Sequence, residues 1–248
     1  MTDEDAQSLM NYYEGLNTRE ELRKRYLSYW ESRDANMLRS EHIPFNMLAP
    51  LKEDSDLAKH IVEGAFGIEC QPPFDIRFEW APDPKEDYLG DKTAFDTYIQ
   101  YHDRNGRTAG IGIEVKYTEH GYRIGASEAA RVADKGSRYW EVTRVSGQFL
   151  NQDNELLGHD DMRQIWRNHL LGLAMCQRGE ISEFTSIILY PEGNEHFGVV
   201  IPKYQHLLKE AYRGQVRGCT FEKYIESITG GEEILKWKGY LSERYLVG

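Results

Sequence analysis

The sequence has few cysteines, and the three it has lie far apart. Cys70, Cys176 and Cys219 form no C-x-x-C pair within 248 residues, so neither a disulfide framework nor a structural zinc site is expected. We therefore expect a protein of a reducing compartment, the cytoplasm. The acidic start MTDEDAQSLM lacks the basic and apolar blocks of a signal peptide, and no run reaches the about eighteen apolar residues of a membrane span. Neither a secretory leader nor a membrane partner is expected.

Positive charge is also scarce, since the formal net charge is -11. As a global value, this counts against tight nonspecific binding to a polyanion. The distribution is uneven, however. Residues 104–146 carry eight basic and five acidic residues, residues 162–179 carry three arginines and no acid, and acids concentrate in residues 52–91. The middle of the chain is therefore its basic region, as a phosphate-binding surface would require.

The most informative segment is residues 94–119, AFDTYIQYHDRNGRTAGIGIEVKYTE. Two apolar runs on either side of a glycine turn predict two antiparallel strands. Asp96 lies on the first strand, and Glu114 and Lys116 lie on the second. Because strand side chains alternate between faces, Glu114 and Lys116 point to the same side of the sheet.

The length of the turn decides whether Asp96 joins them. A three-residue loop over 104–106, with Gly106 in the left-handed conformation, would place Asp96 opposite Glu114. A two-residue loop over 105–106 would send the two acids to opposite faces, because a one-residue slip inverts every side chain. Only the first register would make a site.

In that register, two carboxylates would face each other with about 5 Å between their Cβ atoms, which is unfavourable without a cation or a shared proton. A hard divalent ion, Mg²⁺ or Mn²⁺, would resolve the repulsion. The alternative is an ordinary solvated ion pair, because an acid-x-lysine triplet is common on strands. The apolar run GIGI before Glu114 favours a strand buried on both faces, where charges seldom lie without a function.

An apolar strand that holds one Asp, followed by an apolar strand that ends in Glu-x-Lys, resembles the PD-(D/E)xK nuclease superfamily, with its restriction-endonuclease-like fold. The segment QIWRNHLLG, residues 164–172, is similar to the helix that follows this site in many members, where a glutamine and a basic residue face the active centre. The chain lacks the proline of the PD motif, because Phe95 precedes Asp96.

The resemblance implies a set of functional residues. Asp96, Glu114, Lys116 and Gln164 would be catalytic. Asp96, Glu114, the backbone carbonyl of Val115 and a helix glutamate would hold Mg²⁺, or alternatively Mn²⁺, and Glu41 is the first candidate for that glutamate, with Glu63 the second. Arg167 and Asn168, which share a helix face with Gln164, would bind substrate. By contrast, His169 is expected to pack in the core.

The order of elements predicts an α/β fold with a mixed sheet, in αβββαβ order, flanked by helices. Helices are predicted over 19–39, 40–51, 56–66 and 161–177, and strands over 74–80, 94–102, 109–118 and 185–191. Residues 119–147, rich in Gly, Ser and Arg and with little periodicity, are predicted to be a mobile loop. The division would be an N-terminal helical extension (1–39), a nuclease-like core (40–202) and a C-terminal helical addition (203–248) with a short strand near 216–221.

These observations predict a metal-dependent nuclease that cleaves phosphodiester bonds in nucleic acid, DNA more than RNA. Two other functions stay open: a catalytically silent nuclease-fold protein that binds nucleic acid or a protein, and a structural domain in which the three charged residues form a salt-bridge network. The resemblance also implies a homodimer, since cutting both strands of a nucleic-acid duplex needs two active sites.

Overall fold

The computed structural model describes residues 12–25, 40–119 and 124–246. The helices are α1 (Thr18–Arg25), α2 (Ile43–Leu48), α3 (Ser55–Gly64), α4 (Ala126–Ala133), α5 (Arg138–Ser146), α6 (Arg163–Gln177), α7 (Glu195–Gln205), α8 (Phe221–Ser227) and α9 (Glu232–Tyr245). The strands are β1 (Gln71–Trp80), β2 (Phe95–His102), β3 (Thr108–Val115), β4 (Phe184–Tyr190) and β5 (Val216–Thr220). Short 3-10 turns flank α2.

The five strands form one mixed sheet in the order β1-β2-β3-β4-β5. The first three strands pair antiparallel as a meander. β4 then pairs parallel with β3, and β5 pairs parallel with β4. Every residue of β4 is buried, as expected for a parallel strand covered by helices on both faces. The predicted α/β fold and its αβββαβ order are confirmed, and the short strand of the C-terminal region is the fifth strand of the same sheet.

Two hydrophobic cores lie on the two faces of the sheet. One packs Ile111 and Ile113 of β3 against side chains of α2, α3, α8 and α9, including Trp237. The other packs the opposite face against α5, α6 and α7, including Trp140 and Trp166. Because β3 alternates, the face that carries Glu114 is the face that α6 covers.

Two glycines let α6 lie close to that face. A Cβ atom at Gly112 of β3 would come within 2.8 Å of the ring of Phe184, and a Cβ atom at Gly172 of α6 would overlap the same ring. The rings of Phe184 and, beside Gly112, Phe95 therefore fill the space that the two missing side chains leave. This close packing determines which α6 side chains reach the end of β3.

The prediction of a mobile loop over 119–147 is wrong for the part that the structure describes, because residues 126–133 and 138–146 form α4 and α5. These short helices are held by contacts outside each helix. Arg131 donates to the carbonyl of Gly90 at 2.9 Å, and the indole N–H of Trp140 donates to the carbonyl of Val132 at 2.9 Å. Helices of this length are marginal alone, so contacts with the rest of the fold stabilise them.

The other predicted elements agree with the structure to within a few residues at their ends. The predicted helix over 40–51 is α2 with its two flanking 3-10 turns, and the helix predicted over 19–39 is seen as α1 up to Arg25. Its remainder, 26–39, lies outside the described residues. Within the part of the chain that the structure describes, no helix has both the length and the apolarity that crossing a membrane requires.

Candidate active site at the ends of strands β2 and β3

The hairpin between β2 and β3 has the three-residue loop. The N–H of Asp103 donates to the carbonyl of Arg107 at 2.9 Å, and Gly106 has φ of +76°, the left-handed conformation that glycine adopts without strain. The Asp103 carboxylate also accepts the N–H groups of Asn105 and Arg107. The resulting register runs from His102 opposite Thr108 to Thr97 opposite Ile113.

The same register, continued by one residue, places Asp96 opposite Glu114. Oδ2 of Asp96 accepts the backbone N–H of Val115 at 2.7 Å. Burial raises the pKa of Asp96 well above its ordinary value, and the neighbouring Glu114 raises it further, which outweighs the opposing effect of Lys116. The predicted convergence of the two carboxylates is thus present in the structure.

Glu114 lies at the centre of a hydrogen-bonded network. Its side chain is only 11% exposed, and its Oε1 accepts Nζ of Lys116 at 2.7 Å and the side-chain amide of Gln164. Its Oε2 accepts the amide of Asn168 at 2.6 Å. Gln164 and Asn168 are four residues apart on α6, so both amides reach the strand from one helix face. The helix therefore fixes the orientation of the Glu114 carboxylate.

Lys116 follows directly after β3 and is as buried as its partner, with 11% of its side chain exposed. Burial would lower the pKa of this lysine, but the carboxylates of Glu114 and Asp96 more than offset that effect, so its pKa is raised. The site thus contains a buried ammonium group that stays charged. Its backbone N–H donates to the carbonyl of Leu189, which holds the residue at the end of β4.

Arg167 also lies in α6, but its guanidinium contacts residues other than Glu114. Its guanidinium donates to Oγ1 of Thr93 at 2.7 Å and pairs with Glu128 of α4 at 3.1 Å and with Asp91 at 3.5 Å. Its predicted role as a phosphate ligand stays a prediction, and a phosphate would have to replace one of these partners. Asn168, the other predicted substrate ligand, is bonded to Glu114 instead.

Other arginines of the basic region also hold the fold together. Arg163 is 1% exposed and pairs with Glu128 at 2.9 Å, and Arg138 donates to the carbonyl of Tyr88 at 2.8 Å. These guanidinium groups connect α4, α5 and α6 to the segment before β2. The basic surface that the sequence indicated around the site is therefore partly used inside the protein.

The two candidates for a helix glutamate differ in their surroundings. Glu41 is exposed in the 3-10 turn Ser40–His42, and its role as a metal ligand stays a prediction. Glu63 of α3 accepts Nζ of Lys59 at 2.7 Å, an i,i+4 pair that lowers its pKa. Glu63 is thus already engaged on its own helix.

Four acidic residues near the site were not among the predicted site residues. Glu79 of β1 lies close enough to raise the pKa of Asp96. Glu119 accepts the N–H of Tyr117 at 2.9 Å and contributes to the raised pKa of Lys116. Asp160 and Asp161 line a cavity of about 10 Å³ with Glu114 and Lys116, room for about one water molecule. Finding them would have required the β1–β2 register and the packing of α6.

His169 is buried in α6 with Nδ1 3.0 Å from the hydroxyl of Tyr204, and burial lowers its pKa to about 3. The prediction that it packs in the core is confirmed. A histidine that stays neutral there is unsuited to act as a general base near neutral pH.

The donor set suits a hard divalent cation. Among residues 12–25, 40–119 and 124–246, no three His, Cys, Asp or Glu side chains are already gathered around one point that could hold a metal. Asp96 and Glu114 nevertheless offer carboxylate oxygens from facing strands, and Mg²⁺ is commonly held by one or two carboxylates together with water and substrate phosphate. The unfavourable pairing of the two acids is what such an ion would relieve.

A mixed sheet flanked by helices, with Asp, Glu and Lys at neighbouring ends of its antiparallel strands β2 and β3, defines a protein of the restriction-endonuclease-like class. A family model for the PD-(D/E)XK nuclease superfamily matches residues 4–247, and the chain belongs to that superfamily. Membership supports a nuclease-type function. Comparison with curated proteins and with solved structures gave no match in either case.

Proposed function

We propose that the protein hydrolyses phosphodiester bonds in nucleic acid, DNA more than RNA, with Mg²⁺ or Mn²⁺ as cofactor. The observation that carries this proposal is the β2–β3 register, which brings Asp96 opposite Glu114 while Lys116 is bonded to Glu114. These are the three residue types of the superfamily motif, and they lie at neighbouring ends of β2 and β3, with Lys116 directly after β3. A cytoplasmic location and a homodimer accompany the proposal as predictions.

Asp96, Glu114 and the backbone carbonyl of Val115 would hold the cation. When bound, the ion supplies a Lewis acid for the phosphate and lowers the pKa of a coordinated water. Asp96 is already oriented for this role, because its Oδ2 accepts the N–H of Val115. The remaining oxygen, Oδ1, would point to the ligand.

Lys116 would act on the phosphate and the attacking water. Its ammonium group stays charged because two carboxylates face it in a largely buried position. Such a charge stabilises the negative charge that develops in the transition state, and it acts strongly because it is fixed before the reaction and shielded from solvent. The same group would orient the water by hydrogen bonding.

Gln164 and Asn168 would be positioning residues. Their amides donate to the two oxygens of Glu114 and hold its carboxylate in one orientation. Groups that bond a ligating carboxylate typically matter about 10- to 100-fold for metal affinity or activity. Gln164 would also be able to exchange its hydrogen bond to Glu114 for one to the attacking water.

The second candidate function is that of a catalytically silent nuclease-fold protein, which binds nucleic acid or another protein without cleaving it. Both oxygens of Glu114 already accept hydrogen bonds, as in a purely structural network, and the net charge of -11 opposes tight binding of a polyanion. Metal-dependent cleavage of nucleic acid distinguishes the two candidates, because only the nuclease would show it.

The test is cleavage of single- and double-stranded DNA and RNA in the presence of Mg²⁺, Mn²⁺ or EDTA, with Lys116→Ala in parallel. Lys223→Ala, an exposed lysine of α8, is the matched control. Cleavage that requires metal, is lost in Lys116→Ala and persists in Lys223→Ala is expected. If the folded protein binds Mn²⁺ in calorimetry but does not cleave, the silent candidate is favoured. If it neither cleaves nor binds Mn²⁺, a metal site is contradicted.

A further inference from the structure

The chain leaves the sheet directly after Lys116. The paired residues of β3 and β4 end at Val115 with Leu189, and the N–H of Lys116 adds one more hydrogen bond, to the carbonyl of Leu189 at 2.9 Å. Residues 116–119 belong to no helix or strand. Bonds other than those of the sheet therefore have to determine the course of the chain on the C-terminal side of the lysine.

Asn194 supplies two of these bonds. Its side-chain amide donates to the carbonyl of Tyr117 at 3.0 Å and to the carbonyl of Glu119 at 3.3 Å. Only the amide nitrogen can donate, so the two carbonyls also determine which way the side chain is turned. Asn194 is 6% exposed, so water competes little for its amide. The residue thus connects the start of α7 with the chain after Lys116.

Asn194 is the N-cap residue of α7, but its side chain does not cap the helix. An asparagine in this position usually accepts an N–H group of the first turn through Oδ1, which stabilises the helix. Here Oδ1 is buried and has no hydrogen-bond partner among the residues that the structure describes. The two bonds to the segment after Lys116 therefore replace helix capping. Local rules of stability are broken in this way mainly at functional positions.

The main chain of Asn194 leads to the wall of the site. Its carbonyl accepts the N–H of Phe197, in the first turn of α7, at 3.4 Å. Phe197 is 3% exposed and lines the cavity of about 10 Å³ that Glu114 and Lys116 also line. One residue therefore connects the helix that forms part of this wall with the chain that carries Lys116.

Side-chain packing leaves the segment after Lys116 partly open. The ring of Tyr117 stacks on Phe221 with centroids 6.1 Å apart, but Tyr117 and Asn194 also line a cavity of about 380 Å³. Because side chains do not fill this space, the backbone here depends on hydrogen bonds. These come from Asn194 and from Glu119, whose carboxylate accepts the N–H of Tyr117 at 2.9 Å.

We propose that Asn194 is a positioning residue for Lys116. The inference rests on the proposed function, in which the ammonium group of Lys116 stabilises the transition state. Asn194 holds the carbonyls of Tyr117 and Glu119, which fixes the backbone that follows the lysine and so the place where its Nζ meets Glu114. A displacement of about 1 Å can slow a reaction about 100-fold, so Asn194 influences the rate without contact with substrate.

The test is Asn194→Ser in the full chain. Serine lacks the amide donor but is a favoured N-cap, so a new cap on α7 should offset the lost bonds and keep the unfolding temperature close to that of the wild type. We expect kcat to fall by about 10- to 100-fold with KM and Mn²⁺ affinity unchanged, because Lys116 acts in the transition state and is not a proposed metal ligand. Asn154→Ser is the matched control, since Asn154 caps the 3-10 turn Glu155–Gly158 and serine keeps that cap.

A second readout observes the lysine without turnover. In protein that contains isotope-labelled lysine, the NMR resonance of the Lys116 Nζ is assigned by its loss in Lys116→Ala. Its buried hydrogen bond to Glu114 should slow proton exchange and keep the resonance visible. We expect this resonance to shift or broaden in Asn194→Ser and to be unchanged in Asn154→Ser.

An unchanged kcat or an unchanged Lys116 resonance in Asn194→Ser would overturn the positioning role. A parallel loss of kcat, Mn²⁺ affinity and unfolding temperature would also overturn it, because Asn194 would then support the whole end of the sheet. If Asn194→Ser does not fold, Asn194→Asp, which has the same shape and is a strong N-cap, takes its place, and misfolding of both would assign Asn194 to folding alone. No metal-dependent cleavage by the wild type would contradict the proposed function, whereas the Lys116 resonance would still decide the role of Asn194.

Discussion

The backbone N–H of Val115 donates to Oδ2 of Asp96 at 2.7 Å, so one hydrogen bond both joins strands β2 and β3 and orients an acid of the site. Val115 is fully buried, which means that its N–H has no access to water as an alternative partner. Asp96 is thus engaged twice, as an acceptor that completes the strand pairing and as a charge that faces Glu114. The two roles can be separated by substitution.

Asp96→Asn and Asp96→Ala should differ in stability but not in activity. Asparagine keeps an oxygen for the N–H of Val115 and removes the repulsion with Glu114, so its free energy of unfolding should equal or exceed that of the wild type. Alanine leaves a buried donor without a partner and should lower it by about 1–3 kcal/mol. Cleavage should be lost in both. Urea unfolding beside a cleavage assay measures the two effects, and full activity in Asp96→Asn would remove this residue from the site.

Asn168→Ala should slow turnover by about 10- to 100-fold with little change in KM, because it frees the Glu114 carboxylate to rotate. Asn151→Ala, in an exposed turn, provides the control. Steady-state kinetics with a single oligonucleotide substrate separates kcat from KM. If Asn168 binds substrate, as the sequence indicated, KM would rise instead, and the positioning role would be wrong.

Much of the site could be predicted because it depends on one local rule. Gly106 limits the turn to two loop lengths, each loop length determines one register, and the three-residue loop found in the structure places Asp96 opposite Glu114. The contribution of Gln164 was implied by the resemblance to the superfamily, and helix spacing placed Asn168 on the same face. Each step joined residues through one short turn or one helix face.

Glu79 could not be found in this way. A long connection separates β1 from β2, and no turn rule determines how the two strands align across it. The partners of Arg167 were missed for a similar reason, since Glu128 belongs to α4, an eight-residue helix in a segment that was predicted to be a loop. What escaped prediction depends on pairings between distant segments, and what was predicted depends on adjacent ones.

Gly172→Ala should destabilise the protein by about 1–3 kcal/mol, the usual cost of forcing extra volume into a packed interior. The new methyl group would overlap the ring of Phe184 and push α6 away from β3, so that Gln164 and Asn168 would withdraw from Glu114. Gly239→Ala is the matched control, because that helical glycine has open space around it and alanine should stabilise α9 by up to about 1 kcal/mol. Thermal unfolding of both variants measures this, and equal shifts would show that the close approach of α6 is not required.

Asp91 should make stability depend on pH. Burial alone would raise its pKa, but hydrogen bonds from Tyr139 and Thr93 and the charge of Arg167 outweigh burial, so the pKa lies below its ordinary value of 3.8. A carboxyl group whose pKa is lowered by folding stabilises the folded state above its unfolded pKa, and this contribution is lost as the pH falls through the folded pKa. Asp91→Asn should therefore lower the free energy of unfolding by about 1–3 kcal/mol at pH 7, and the difference from the wild type should shrink below about pH 4.

Asp87→Asn, exposed in the preceding turn, should show little difference at either pH. Urea unfolding at pH 7 and pH 3 measures both variants, and a difference for Asp91→Asn that does not change with pH would show that the carboxylate charge does not hold Arg167 and Tyr139 in place.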